Sequence, residues 1–108
     1  MLSIKSIQDY TLHIFEEYQK TQTNPRTYKT AALDLSYQVG SLNKAIMQLD
    51  NDRFHDNITD TQLKETIGDE LVDIMTLVTF IGHELNIDLE QAWAQMVKSD
   101  QNKVQNRS

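Results

Sequence analysis

The chain has 108 residues, enough for one domain with a modest core, and carries 16 Asp+Glu against 10 Lys+Arg for a formal net charge of −6. It contains no cysteine, which excludes disulfide scaffolds, thiolate zinc sites and thiol nucleophiles. The acidic balance makes nucleic acid a poor partner, because phosphate binding needs clustered Lys or Arg. The start MLSIKSIQDY lacks the continuous apolar run of a signal peptide, and the longest apolar cluster, LVTFIG at 77–82, is too short to cross a bilayer. A soluble, cytoplasmic protein with no membrane partner is expected.

No run alternates at period two and Pro25 is the single proline, whereas apolar residues recur at spacings of three and four. That spacing marks amphipathic helices. The first helix carries Ile4, Ile7, Ile14 and Tyr18 on one face, with Thr11 in the same stripe, and ends near Thr21 at the breakers TQTNP. Asn24 and Pro25 are suited to open a second helix, as cap and first-turn residue. Its stripe is Tyr28, Ala32, Leu35, Val39, Leu42, Ile46 and Leu49.

The polar run DNDRFHDNITD at 50–60 forms a loop, closed by Thr59 or Asp60 as the next cap. The third helix bears Leu63, Ile67, Leu71, Ile74, Val78, Ile81 and Leu85. Leu77 and Phe80 extend its apolar surface to a second side, so burial from two directions is expected, one source being a partner subunit. After the break ELNID at 84–88, Asp88 and Gln91 form a capping box for a fourth helix. That helix buries Leu89, Ala92, Trp93, Met96 and Val97 and fades into the polar tail KSDQNKVQNRS. The expectation is an all-α fold, a single four-helix domain spanning 1–108 with frayed termini at about 1–3 and 99–108. Gly40, Gly68 and Gly82 all fall inside helices, each at a cost of about 1 kcal/mol relative to alanine, and close helix packing is the expected compensation.

Chemistry is sparse. Glu70 and Asp73, one turn apart on a flank of the third helix, can share a hard cation; Mg²⁺ accepts one or two protein carboxylates and completes its shell with water and substrate phosphates. Glu84 lies further along a similar azimuth and Asp69 is displaced towards solvent. On the second helix Asp34, Gln38, Ser41 and Ala45 form a row at the edge of the stripe. It is either an ordinary polar boundary or, if the two helices pack antiparallel, a row facing Glu70 and Asp73. His13, His55 and His83 make no H-x-x-x-H or E-x-x-H pair, so zinc is disfavoured, and no P-loop, G-x-G-x-x-G or G-x-S-x-G occurs.

LSYQVGSLNKAI at 35–46 is similar to the L-x-E-E-x-G-E-L-x-K-A helix of the MazG-like nucleotide pyrophosphohydrolases, the all-α NTP pyrophosphatase superfamily. IGDELVDIMTLVTFIGHELNIDLEQAW at 67–93 resembles that family's E-L-x-D-x-L helix followed by L-G-I-D-L-E-x-A. The resemblance implies a four-helix antiparallel bundle, a homodimer or dimer of dimers, and a nucleotide site at the helix interface. There Mg²⁺, or Mn²⁺ in its place, activates water to cleave an NTP into a nucleoside monophosphate and pyrophosphate.

Of the family's E-E-x-x-E and E-x-x-D acids, only the second pair is kept, as Glu70 and Asp73; Tyr37, Gln38 and Ser41 stand at the three glutamate positions. The basic C-terminal pattern is altered too, with Asp100 and Val104 replacing Lys and Asn and Arg107 the one match. A weak or inactive homologue is therefore implied. The alternatives are an active enzyme with the shifted set Asp34, Glu70 and Asp73, and a non-catalytic helical interaction module. Phe15, Tyr18 and Trp93 are candidate base-facing aromatics, although their spacing places each in the core.

Overall fold

A computed structural model describes residues 3–20, 27–50 and 58–107. These form α1 (Ile4–Gln19), α2 (Tyr28–Asp50), α3 (Asp60–Glu84) and α4 (Leu89–Asn106), with no strand among the described residues. The helix starts follow from local hydrogen-bond chemistry. Ser3 and Ser6 exchange backbone-to-hydroxyl bonds of 2.9 and 3.0 Å at the start of α1. Thr27 and Thr30 do the same at α2, where the backbone N–H groups donate over 2.9 and 3.3 Å. The Asn24–Pro25 opening lies outside the described residues.

Thr59 closes a full capping box with Gln62, its hydroxyl accepting from the Gln62 N–H at 3.1 Å and its own N–H donating to Gln62 Oε1 at 3.0 Å. Asp88 caps α4 by accepting the Gln91 N–H at 3.0 Å. The helix does not fade at Lys98 but runs on through Asp100 and Val104 to Asn106.

The end of α3 is a Schellman turn. Asn86 takes a left-handed φ of 56°, the Ile87 N–H reaches back to the Gly82 carbonyl at 2.8 Å, and the Asn86 N–H reaches the His83 carbonyl at 3.1 Å. Asparagine tolerates this conformation better than other non-glycine residues. The turn swings the chain so that Leu89 meets Gly82. A Cβ at Gly82 would stand 3.0 Å from Leu89 Cδ1 and Cγ, so the glycine accommodates the α3–α4 corner. Gly40 and Gly68 have open space around them instead, and the packing expected to compensate them is not made by the described residues.

The core forms where α2 and α1 meet α3. Ala31, Leu77 and Phe80 are buried together, with Phe15, Leu35 and Ile81 packed against them. The Phe15 and Phe80 rings tilt against each other at 4.5 Å between centroids. Two expectations change here. Leu77 and Phe80, assigned to a second side, are the core itself, while Leu71, Val78 and Leu85 from the expected stripe are exposed. On α2 the buried residues are Ala31 and Ala45, whereas Tyr28, Ala32, Val39 and Ile46 are exposed.

The reason is steric. Alanines let the α2 axis come close to α3, which turns the contact line towards the polar row and pushes the larger apolar residues to the rim. Neither is α4 part of the core: Trp93, Met96 and Val97 are exposed, and none of its residues is fully buried.

Phe80→Ala should cost about 3–5 kcal/mol in urea unfolding, because it empties a fully buried ring position. In the same assay Asn86→Ala should cost about 1 kcal/mol while Asn86→Gly costs nothing, since only the left-handed conformation distinguishes them.

Candidate functional site

The rotation of α2 has a consequence for its polar row. Asp34, Gln38 and Ser41 are half-buried, not on a solvated edge. Asp34 and Gln38, one turn apart, line a cleft of about 430 Å³ between α1, α2 and α3, and Asp73 and Thr76 line it from α3. Thr11 and Phe15 contribute the α1 wall. The Thr76 hydroxyl donates to the Asp73 carbonyl at 2.8 Å, a local bond within α3.

The two acids of E-x-x-D separate. Asp73 lines the cleft and its residue is exposed, whereas Glu70, one turn earlier, does not line it and is half-buried. Glu70 Oε2 is fully buried and has no hydrogen-bond partner among the described residues. Thr11 Oγ1 is also buried and unpartnered among them, in a residue only 2% exposed. Buried polar atoms of this kind are costly, and in native proteins each calls for an explanation such as a bound ligand, ion or water.

Among the other sequence candidates, Tyr37 is 73% exposed and Ser41 does not line the cleft. Phe15 lines the cleft and packs on Phe80. Trp93, expected in the core, is 62% exposed on another side of the molecule, and the side chain of Tyr18 is outside the description. Glu84 and Asp69 are exposed, as are His13 and His83; His55 lies outside the described residues. Arg107 caps the C-terminus of α4 and does not line the cleft. The sequence reading gave no site role to Thr11 or Thr76. The signal for Thr11 was present, because it is the one polar residue in the α1 stripe.

Among the described residues no Lys or Arg lines the cleft. Its polar lining is carboxylate, amide and hydroxyl, and these oxygens are suited to a hard divalent cation. No group of three or more His, Cys, Asp or Glu side chains is placed to hold a metal ion among the described residues. A cation on Asp34 and Asp73 would therefore complete its shell with water or ligand oxygens, as Mg²⁺ does. Among the described residues no helix is long and apolar enough to cross a membrane. No protein-family model matches the sequence, and neither a curated protein nor a solved structure does.

Replacing the orphaned Thr11 hydroxyl by a methyl, Thr11→Val, should raise the stability of the ligand-free protein by about 1 kcal/mol, because the change keeps the shape and removes an unsatisfied group. Chemical denaturation checks this directly.

Proposed function

We propose that the chain is a MazG-like helical protein that binds a nucleotide in the α1–α2–α3 cleft and has weak or no pyrophosphohydrolase activity. The observation that carries this reading is the composition of the cleft. Asp34 and Gln38 from α2 and Asp73 from α3 share one wall-to-wall space, yet Tyr37, Gln38 and Ser41 bring no charge where the family places glutamates. The order of four helices and the E-x-x-D pair on α3 support the same assignment. Ala31 sits with Leu77 and Phe80, while Gln38, further along α2, shares the cleft with the earlier Asp73. That reversed order supports an antiparallel bundle, and the exposed apolar surface supports a homodimer or dimer of dimers.

Charge then dictates how a nucleotide binds. Asp34 and Asp73 repel bare phosphates, and two unit charges at about 4 Å near a protein surface interact by roughly 4 kcal/mol. The nucleotide must arrive with a divalent cation, which Asp34 and Asp73 would hold; Mg²⁺ neutralises phosphate charge and lowers the pKa of bound water. Gln38 offers a neutral amide oxygen to the same space. With three family glutamates absent, the site retains affinity for a cation-bound nucleotide but lacks the charge density that orients attack on a triphosphate.

A second reading is an active enzyme using Asp34, Glu70 and Asp73, and the shared placement of Asp34 and Asp73 in one cleft favours it. Purified protein incubated with NTPs and dNTPs in Mg²⁺ or Mn²⁺ separates the two. Pyrophosphate release at background is expected. Robust release, abolished by Asp73→Asn and Asp34→Asn and reduced by Glu70→Gln, would replace the weak-enzyme reading with the active one. Binding is read separately by thermal shift: a nucleotide at 100 times its Kd adds about 2.7 kcal/mol, roughly 10 °C or more in Tm for a domain of this size. The shift should vanish with EDTA and in Asp73→Asn. No shift with any nucleotide would overturn the nucleotide reading.

A further inference from the structure

The acidic cleft offers more than carboxylates. Thr11, Ile14 and Phe15 are three and four residues apart on α1 and line it together, which puts the Thr11 side chain on the cleft side of its helix. The one polar atom of that side chain, Oγ1, is buried and unpartnered among the described residues, in a residue 2% exposed. A hydroxyl so placed can accept a hydrogen bond from a ligand in the cleft. From the other helices Asp34 and Asp73 add two carboxylates and Gln38 an amide oxygen, and among the described residues no basic side chain lines the space.

This mixture of acids, a hydroxyl and apolar side chains fits an organic cation closely. A metal ion draws oxygens together at about 2.0–2.6 Å. Among the described residues no group of three or more His, Cys, Asp or Glu side chains is placed to do so. A hydrated metal ion also gains nothing from Ile14 and Phe15. An alkylammonium uses all of these features. Each ammonium group presents three donors, so carboxylate, amide and hydroxyl oxygens can be satisfied without converging on one point. The methylene chain loses water against the apolar wall, a gain of about fourfold in affinity for each CH₂ fully buried.

We propose that the cleft binds an aliphatic diamine, its ammonium groups on Asp34, Asp73 and the Thr11 hydroxyl and its methylene chain against Ile14 and Phe15. Aliphatic diamines carry two positive charges at neutral pH, which match the two carboxylates. The inference goes beyond the nucleotide reading and needs neither metal nor phosphate, so a failure of nucleotide binding leaves it standing. Because both ligands use Asp34 and Asp73, diamine and Mg²⁺ exclude each other.

Calorimetric titration with diaminobutane, diaminopentane and butylamine tests this, with EDTA present throughout. Any binding that depends on a metal ion is lost under that condition, and diamine binding is not. Saturable one-to-one binding of the diamines is expected. Butylamine should bind at least about tenfold more weakly, since it leaves one carboxylate without a counter-charge. Asp34→Asn and Asp73→Asn should each cost the diamines about tenfold or more. Thr11→Val should cost about tenfold, as for a hydrogen bond to a charged group, and it leaves the net charge unchanged. Glu65→Gln removes an exposed α3 carboxylate outside the cleft and should change the affinity by less than about twofold.

No saturable binding of either diamine would overturn the proposal. So would an equal loss in Glu65→Gln and Asp73→Asn, or an unchanged affinity in Thr11→Val, because each marks diffuse attraction to an acidic surface. Butylamine binding as tightly as the diamines would overturn the choice of a dication. Where a cleft variant unfolds, the wild type decides by NMR. Diaminobutane should move the amide signals of Thr11, Asp34 and Asp73, and shifts confined to acids outside the cleft would overturn the site.

Discussion

The close approach of α2 to α3 is the constraint on which the rest of the structure depends. It rests on Ala31 and Ala45, whose small side chains occupy the contact line and let Leu77 and Phe80 reach the interior. With larger residues there the helices would stand further apart and α2 would turn its Leu–Val–Ile stripe inward. Instead that stripe lies at the rim, and the polar row of Asp34, Gln38 and Ser41 is drawn under cover. Core and cleft are thus two results of one packing choice. The same rotation that exposes Val39 and Ile46 places Asp34 and Gln38 opposite Asp73.

The cleft carries a deficit that is electrostatic in kind. Among the described residues it gathers carboxylates without a lysine or arginine in its lining, and one of its lining residues, Thr11, carries a buried hydroxyl without a partner there. Such atoms make the ligand-free state less stable than it needs to be. A ligand that supplies cation charge and hydrogen-bond donors would recover part of that loss, which is why the nucleotide proposed above carries a divalent cation and is not a bare anion. The separation of Glu70 from Asp73 matters in the same way. The two acids are one turn apart in sequence, but only Asp73 opens on the cleft, so α3 presents one carboxylate there and keeps the other beneath.

Away from the cleft the structure is open. Among the described residues five apolar ones form the buried core, while the outer sides of α3 and α4 carry Met75, Val78, Trp93 and Met96 towards solvent. A core of that size offsets little of the conformational entropy of a 108-residue chain.

The sequence by itself determined the helical class, the helix limits to within a few residues except the far end of α4, and two of the caps, Thr59 and Asp88, because these depend on local hydrogen bonding and a 3.6-residue period. It also singled out Asp34, Gln38 and Asp73 through their place on helix flanks. What it left undecided was which flank faces inward. A stripe of large residues and a neighbouring row containing alanine differ by one residue, about 100° on the helix surface, and periodicity reads the large residues as the interior. Only the tertiary structure decided between them, since interhelical distance depends on the small residues at the contact. For the same reason Leu77 and Phe80 became core, Trp93 and Met96 did not, and Glu70 parted from Asp73.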